Sequence, residues 1–300
     1  MSFIYAEKYQ MDDSSDESVR VLCDTKTSPG RYTSANLSRT EYDLVLKYGV
    51  VKSTICCPEL CISFAGNNTL FAAKLFRELD DMGSFEPKDV SDYALSIHQS
   101  APSSDDIEFI ISYFSNDQVF IDCVKNRKLQ RNCTIAHIGS EDAFKAFQKA
   151  RLSAEKHASS LTESAFRDVV SGCKDDTVGG RTVKVIFDFQ SKSFIYNWER
   201  AFHTSKPQIV SLGEPIAFNT SASDGGYSYE IVHGDIENVF YIIDQMNYAI
   251  LYSRKYRIDS KDKDNPNLFG LMLPMLVDID KSGDTIQARF IRRPYRGSTH

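Results

Sequence analysis

The sequence predicts an α+β protein: a four-layer αββα sandwich over residues 1–200, followed by a β-rich extension over residues 201–300 packed on it. Three observations carry this. Strand and helix periodicities alternate in blocks, in the order strands, two helices, strands, two helices, strands. The longest strands, IEFIISYF (107–114) and QVFIDCV (118–124), are nearly continuous apolar runs, as expected of sheets covered on both faces. Beyond about residue 200 the helical patterns give way to aromatic tight-hairpin patterns. Two sheets with a helix pair on each outer face satisfy this order, because every apolar face then meets another.

SFIYAEKY (2–9) and VRVLCDTKT (19–27) read as two strands, with the acidic, serine-rich MDDSSDES (11–18) as an exposed hairpin loop. GVVKSTICC (49–57) and ELCISFAG (59–66) read as a second hairpin, split by Pro58. Asn67-Asn68 offers a helix cap, and TLFAAKLFRELDDMG (69–83) sets Phe71, Leu75, Leu79 and Met82 on one face, with Gly83 as the stop. EPKDVSDYALSIHQS (86–100) reads as a shorter helix and APSSDD (101–106) as a loop.

Ser115-Asn116-Asp117 is a turn between the two long strands, and Lys125-Asn126-Arg127-Lys128 a solvated turn. CTIAHIGS (133–140) is a strand, and DAFKAFQKARLSAEKHA (142–158) a helix. Ser160-Leu161-Thr162-Glu163 has the form of a capping box opening a last helix, ESAFRDVVSG (163–172). TVKVIFDF (182–189) and SFIYNW (193–198) close the first domain. In the extension, 236–258 and 268–291 read as hairpins, the second turning at Lys281-Ser282-Gly283-Asp284, and RRPYRGSTH (292–300) as a loose terminus.

Composition narrows the class. The 300 residues are 42% apolar, 12% aromatic and 25% charged, which suits a globular chain able to bury a core. A net charge of -6 argues against nucleic acid or an anionic membrane as the main partner. No stretch reaches the about 18 consecutive apolar residues of a membrane span, and the first residues lack the basic start and apolar run of a signal peptide. Seven cysteines, an odd number, fit a reducing compartment, so a cytoplasmic location is expected. Cys56, Cys57 and Cys61 cluster, but CCPELC lacks zinc-site spacing and the six histidines are scattered, so no metal and no cofactor is expected.

Three stretches in order carry chemistry: VRVLCDTKTS, then VKSTICCPELCISFAGNNTLFAAKLFREL, then CTIAHIGSEDAFKAFQKA. They place Asp24 on a strand, Lys52 a fixed distance before Ala65-Gly66 at a strand-to-helix junction, and Gly139-Ser140 at a strand end before a helix. This resembles the proteasome β-subunit family and its bacterial relatives, over roughly residues 2–196, and the interval from Lys52 to Gly66 suits that pattern without a gap.

The resemblance implies an N-terminal nucleophile hydrolase. In such an enzyme the first residue attacks with its side-chain oxygen, and its own α-amine takes the proton. A free α-amine titrates near 8, so it serves as a base at cellular pH. By resemblance the nucleophile is Ser2 once Met1 is removed, and Lys52, held by Asp24, favours loss of nearby protons. The N–H groups at Gly66, at the start of a helix, would hold the oxyanion. Ser140 and Asp175 would orient the α-amine, and Phe64 would set the depth of the pocket for the substrate residue before the cut. The family also implies a peptide or unfolded-protein substrate, a homo-oligomeric ring or spiral, and an ATP-dependent unfoldase as partner.

The chain departs from the family pattern in its more acidic MDDSSDES loop, in a tail of roughly residues 201–300 that has no counterpart in a minimal subunit, and at two motif positions. Serine stands for the usual threonine, and Asp175-Asp176-Thr177-Val178-Gly179-Gly180 has Val178 where the D-x-x-S-G-G pattern has serine, which removes one hydroxyl from the outer network. An inactive proteasome-like scaffold and a small-molecule amidase of the same class are therefore the alternative expectations. Read without the family, Asp24 and Lys52 are an ion pair between strands, Gly66 a turn glycine and Ser140 a helix cap.

Overall fold

The computed structural model describes residues 2–10, 17–28, 43, 45–46, 49–82, 85–102, 106–153 and 158–196, and parts of 201–290 as strand backbone alone. The protein is α+β, with antiparallel sheets. One sheet has the order β10-β9-β2-β1-β8, from β1 (Phe3–Gln10), β2 (Glu17–Asp24), β8 (Ile135–Gly139), β9 (Thr182–Asp188) and β10 (Ser193–Tyr196). A second runs β3-β4-β5-β6-β7, from β3 (Ser53–Cys57), β4 (Leu60–Gly66), β5 (Ile107–Ser115), β6 (Gln118–Lys125) and β7 (Lys128–Gln130). The helices are α1 (Thr69–Met82), α2 (Val90–Ser100), α3 (Glu141–Ser153) and α4 (Ala158–Gly172).

Alternation along β1 explains how the core divides. Phe3 and Tyr5 point to one side, where they pack with Phe147 of α3 and Phe166 of α4. Ile4 and Ala6 point to the other, into a cluster that takes Val21 and Val185 from the first sheet and Ile55, Ile110 and Ile121 from the second. The second sheet repeats the division: Phe109 and Ile111 join Phe76 of α1 and Ile97 of α2, while Ile110 lies in the cluster shared with the first sheet. Strands buried on both faces need apolar residues at every position, which is why these stretches read as continuous runs. Tyr196 adds a polar tie between the sheets, its hydroxyl donating to the Ser53 carbonyl (2.9 Å) and accepting the Ile55 N–H (3.2 Å).

Tight turns set the registers. Asn116 and Asp117 have φ of 51° and 57°, and Asn126 and Arg127 have 53° and 59°, the paired left-handed residues of two-residue hairpins. The predicted turn at 125–128 thus joins β6 to the short strand β7. A 3-10 turn, Pro87–Asp89, opens into α2.

The predicted start of the last helix is corrected. α4 begins at Ala158, so the apparent capping box lies inside it. Glu163 does not cap a helix; its Oε1 accepts from Arg20 (3.1 Å) and Lys184 (3.0 Å) on the neighbouring sheet. Two cations across a packed interface outcompete a backbone N–H for a carboxylate.

The extension contains β11 (Ala201–Thr204), β12 (Ile216–Ser223), β13 (Gly226–Tyr229), β14 (Asn238–Ile242), β15 (Tyr248–Ser253), β16 (Leu273–Ser282) and β17 (Thr285–Phe290). They form one sheet in the order β11-β14-β15-β16-β17-β12-β13. The predicted hairpins are β14–β15 and β16–β17, with Ser282 opposite Thr285. Residues 11–16 of the acidic loop, Gly83 and the 292–300 terminus lie outside the described residues. Among the described residues, no helix is long and apolar enough to cross a membrane.

Candidate active site at the start of the first strand

β1 pairs with β2 on one side and β8 on the other, so its first residues stand beside the last residue of β2 and the last of β8. The Phe3 N–H donates to Asp24 Oδ1 (3.0 Å), and the Lys52 ammonium donates to the same oxygen (2.9 Å). The Gly179 N–H reaches the other carboxylate oxygen, Oδ2 (3.2 Å). Lys52 also donates to the Lys26 carbonyl (2.6 Å). Asp24 is 0% and Lys52 4% exposed, so this is a buried pair with both carboxylate oxygens occupied. Burial pushes the Asp24 carboxyl up; the Lys52 charge and the N–H groups of Phe3 and Gly179 pull against it. Lys52 is carried in from the second sheet's side, where its carbonyl accepts the Phe64 N–H (3.0 Å) and Val50 N–H donates to the Thr25 carbonyl (2.9 Å).

The opposite side of the same stretch is held from β8 and α3. The Ser140 N–H donates to the Ser2 carbonyl (2.7 Å). Ser140 also caps α3, its Oγ accepting the Ala143 N–H (3.2 Å) while donating to Asp175 Oδ2 (2.5 Å). Asp175 accepts twice more at Oδ1, from the Thr177 N–H (2.9 Å) and the Thr177 hydroxyl (2.5 Å). Partial burial would raise the Asp175 carboxyl, but the hydrogen bonds from Ser140 and Thr177 outweigh it and hold the group below its usual range.

Gly139 has to be glycine. Its φ is +90°, and a Cβ there would stand 1.9 Å from the Ser2 carbonyl oxygen. Its N–H donates to Glu108 Oε2 (2.9 Å), a carboxyl that burial pushes up to about 7.

The structure therefore assembles Ser2, Asp24, Lys52, Ser140 and Asp175 around one end of β1. Gly66 reaches the same end through the β4–β5 pairing: its neighbour Ala65 has its Cβ 3.3 Å from where a Gly139 Cβ would stand. A side chain on Gly66 would meet the Asp106 carbonyl oxygen at 2.2 Å, and Asn68 caps the following helix by accepting the Leu70 N–H (3.1 Å). Phe64 stands on the helix side of the second sheet, its ring buried edge-on to Phe76 at 6.1 Å between centroids. Met1 lies outside the described residues.

Three contributors were absent from the sequence reading. Thr177 supplies a hydroxyl to Asp175 from one position before Val178, whose side chain is buried with the Phe147 and Phe166 cluster. The outer network is thus not short of a hydroxyl at Asp175, and the signal was present in the Asp-x-Thr spacing, which lets a threonine turn back on an aspartate two residues earlier. The Lys26 carbonyl and Glu108 act across the fold and leave no local signal. Among the described residues, no group of three or more His, Cys, Asp or Glu is placed to hold a metal ion.

Residue 2 is thus gripped through both sides of its peptide with Phe3, between a buried cation and a half-buried, hydroxyl-fed carboxylate. Such an arrangement can fix the direction of a side-chain oxygen and lower the cost of removing its proton. No protein-family model and no curated protein matches the chain.

Proposed function

We propose that the chain is an N-terminal-nucleophile peptidase resembling a proteasome β-subunit, on a four-layer αββα sandwich with the extension beyond residue 200 packed against it. The observation that carries the reading is the double grip on residues 2 and 3, by Asp24 with Lys52 on one side and Ser140 with Asp175 on the other. A structural ion pair has no need of a second polar cluster at the same peptide group.

With Met1 removed, the Ser2 hydroxyl attacks a peptide carbonyl while its α-amine takes the proton, and the carbonyl π electrons move onto oxygen. The Gly66 N–H stabilises that oxyanion, and its collapse expels the amine with the proton returned by the α-amine. Water, activated by the same amine, then hydrolyses the ester on Ser2. Lys52 keeps positive potential beside the nucleophile, and Phe64 closes the floor of a pocket for a small or medium apolar residue. The reading carries with it a cytoplasmic homo-oligomer, a ring or spiral, fed with peptides or with chains from an ATP-dependent unfoldase.

A second reading, a proteasome-like scaffold without turnover, is favoured by the buried Val178 in place of a serine. Intact mass after purification from the natural cell, followed by labelling with a peptide epoxyketone or vinyl sulfone, separates the two. Loss of methionine with an adduct on Ser2, absent in Ser2→Ala, supports the peptidase; retained Met1 supports the scaffold. Turnover of small amides without peptides would point instead to an amidase.

A further inference from the structure

Glu108 is a carboxyl where the strand pattern calls for an apolar residue. Ile107 and Phe109 on either side of it face the helices, and Ile110 joins the cluster between the sheets, so Glu108 faces that inter-sheet layer. It is 6% exposed and reaches across from the second sheet to the first, where its Oε2 accepts the Gly139 N–H at 2.9 Å. Gly139 is the residue whose backbone lies against the Ser2 carbonyl, and the next N–H, that of Ser140, is bonded to that carbonyl.

We propose that Glu108 is a positioning residue for the candidate site: its carboxylate charge holds the Gly139–Ser140 turn against residue 2, and loss of that charge loosens the turn. The hold on the turn stands on the geometry alone; its effect on turnover rests on the peptidase reading.

The surroundings let this charge come and go near neutral pH. Burial raises the Glu108 carboxyl to about 7, against the Gly139 hydrogen bond and the Lys125 ammonium, with Asp106 and Glu141 adding to the rise. Lys125, from β6, stands 4.0 Å from Glu108 but 2.7 Å from Glu141 at the start of α3. Glu141 is held down to about 2 by hydrogen bonds from Lys125 and His137, so it stays charged and keeps Lys125 closer to itself. His137, from β8, is lowered by burial, and Cys123, from β6, is raised to about 12 by burial, so neither competes as a charge at neutral pH. Glu108 is left as the group whose proton changes where the turn is held. A neutral carboxyl still accepts the Gly139 N–H, but without the charge that makes the bond about twice as strong.

Ile138-Gly139 is the single Ile-Gly pair in the sequence, so ¹³C-carbonyl isoleucine with ¹⁵N-glycine isolates the Gly139 amide in an NMR spectrum of the full chain. In the wild type this amide is expected to shift between pH 5 and 9 with a midpoint at about 7, and in Glu108→Gln, which keeps an acceptor but no charge, to stay in place. On a peptide substrate the wild-type kcat/KM should lose about tenfold more than that of Glu108→Gln between pH 8 and pH 6. A Gly139 amide that does not titrate in the wild type overturns the proposal, as does an identical pH profile in the two proteins. If no pH gives turnover, the peptidase reading falls by itself, and the wild-type amide titration still supports or overturns the hold on the turn.

Discussion

Asp24 and Ser140 grip the two sides of one peptide group of the first strand, that between Ser2 and Phe3, yet they do so in different solvent. Asp24 and Lys52 are shut inside, with the carboxylate taking one cation and two backbone N–H groups. Asp175, behind Ser140, is half-buried and takes its donors from a serine and from one threonine two residues on. A buried pair is costly to assemble and costly to break, because either partner alone is an unpaired charge in a low dielectric. A half-buried carboxylate held by hydroxyls can lose a partner to water. The inner cluster is therefore the one whose loss the fold tolerates least, and the outer one the more easily exchanged.

Breaking the inner pair tests this most severely. Lys52→Ala should cost about 3–5 kcal/mol in denaturant unfolding and abolish labelling of Ser2. The double variant Asp24→Ala/Lys52→Ala should lose less than the two single changes summed, since each removes the charge that the other strands. Additive losses would mean that the pair is not coupled.

Glu108 provides a third term of comparison, a buried carboxyl that shares the Lys125 ammonium with Glu141. Its folded value lies above that of an unfolded chain, so the folded protein keeps the proton longer. The stability it contributes is complete below pH 4.5 and is lost as pH rises through about 7. The loss by pH 8 should approach about 3 kcal/mol in the wild type and be missing in Glu108→Gln, read as unfolding free energy against pH.

Gly139→Ala sharpens the outer side. The added methyl would lie 1.9 Å from a backbone oxygen, so the strand pair must shift, and a loss of at least about 2 kcal/mol is expected by thermal unfolding. Asp175→Asn should do least to the fold, about 1 kcal/mol, while slowing labelling of Ser2. Asp175 is held below its ordinary value, so its contribution is present above the unfolded value and disappears as acid carries the pH down through the folded one. A large loss of stability in Asp175→Asn would erase the distinction between the two clusters.

The sequence was most legible where the physics is local. Period-two alternation and continuous apolar runs marked β1, β2, β5 and β6, and turn residues marked the link between β5 and β6. Asp24, Lys52 and Ser140 could be singled out because a carboxylate, a lysine and a Gly-Ser pair fall at strand ends in a familiar order. The start of α4 was misread because Glu163 suits a capping box locally, while its partners Arg20 and Lys184 lie on distant strands. Glu108 gave no sign for the same reason: its partner is 31 positions away, and a glutamate in a strand reads as an exposed one. What the chain brings together across sheets is decided by packing, which a one-dimensional pattern records only in part.

Phe3 and Tyr5 face the helices while Ile4 and Ala6 face the other sheet, and this makes β1 a ruler with a two-residue graduation. A sliding step of one residue would exchange the two faces, and a step of two would carry residue 2 about 7 Å along the strand. The place of residue 2 is therefore metered by the strand that follows it: a one-residue shift of β1 cannot be taken up by slippage, because it would put Ile4 and Ala6 where Phe3 and Tyr5 pack.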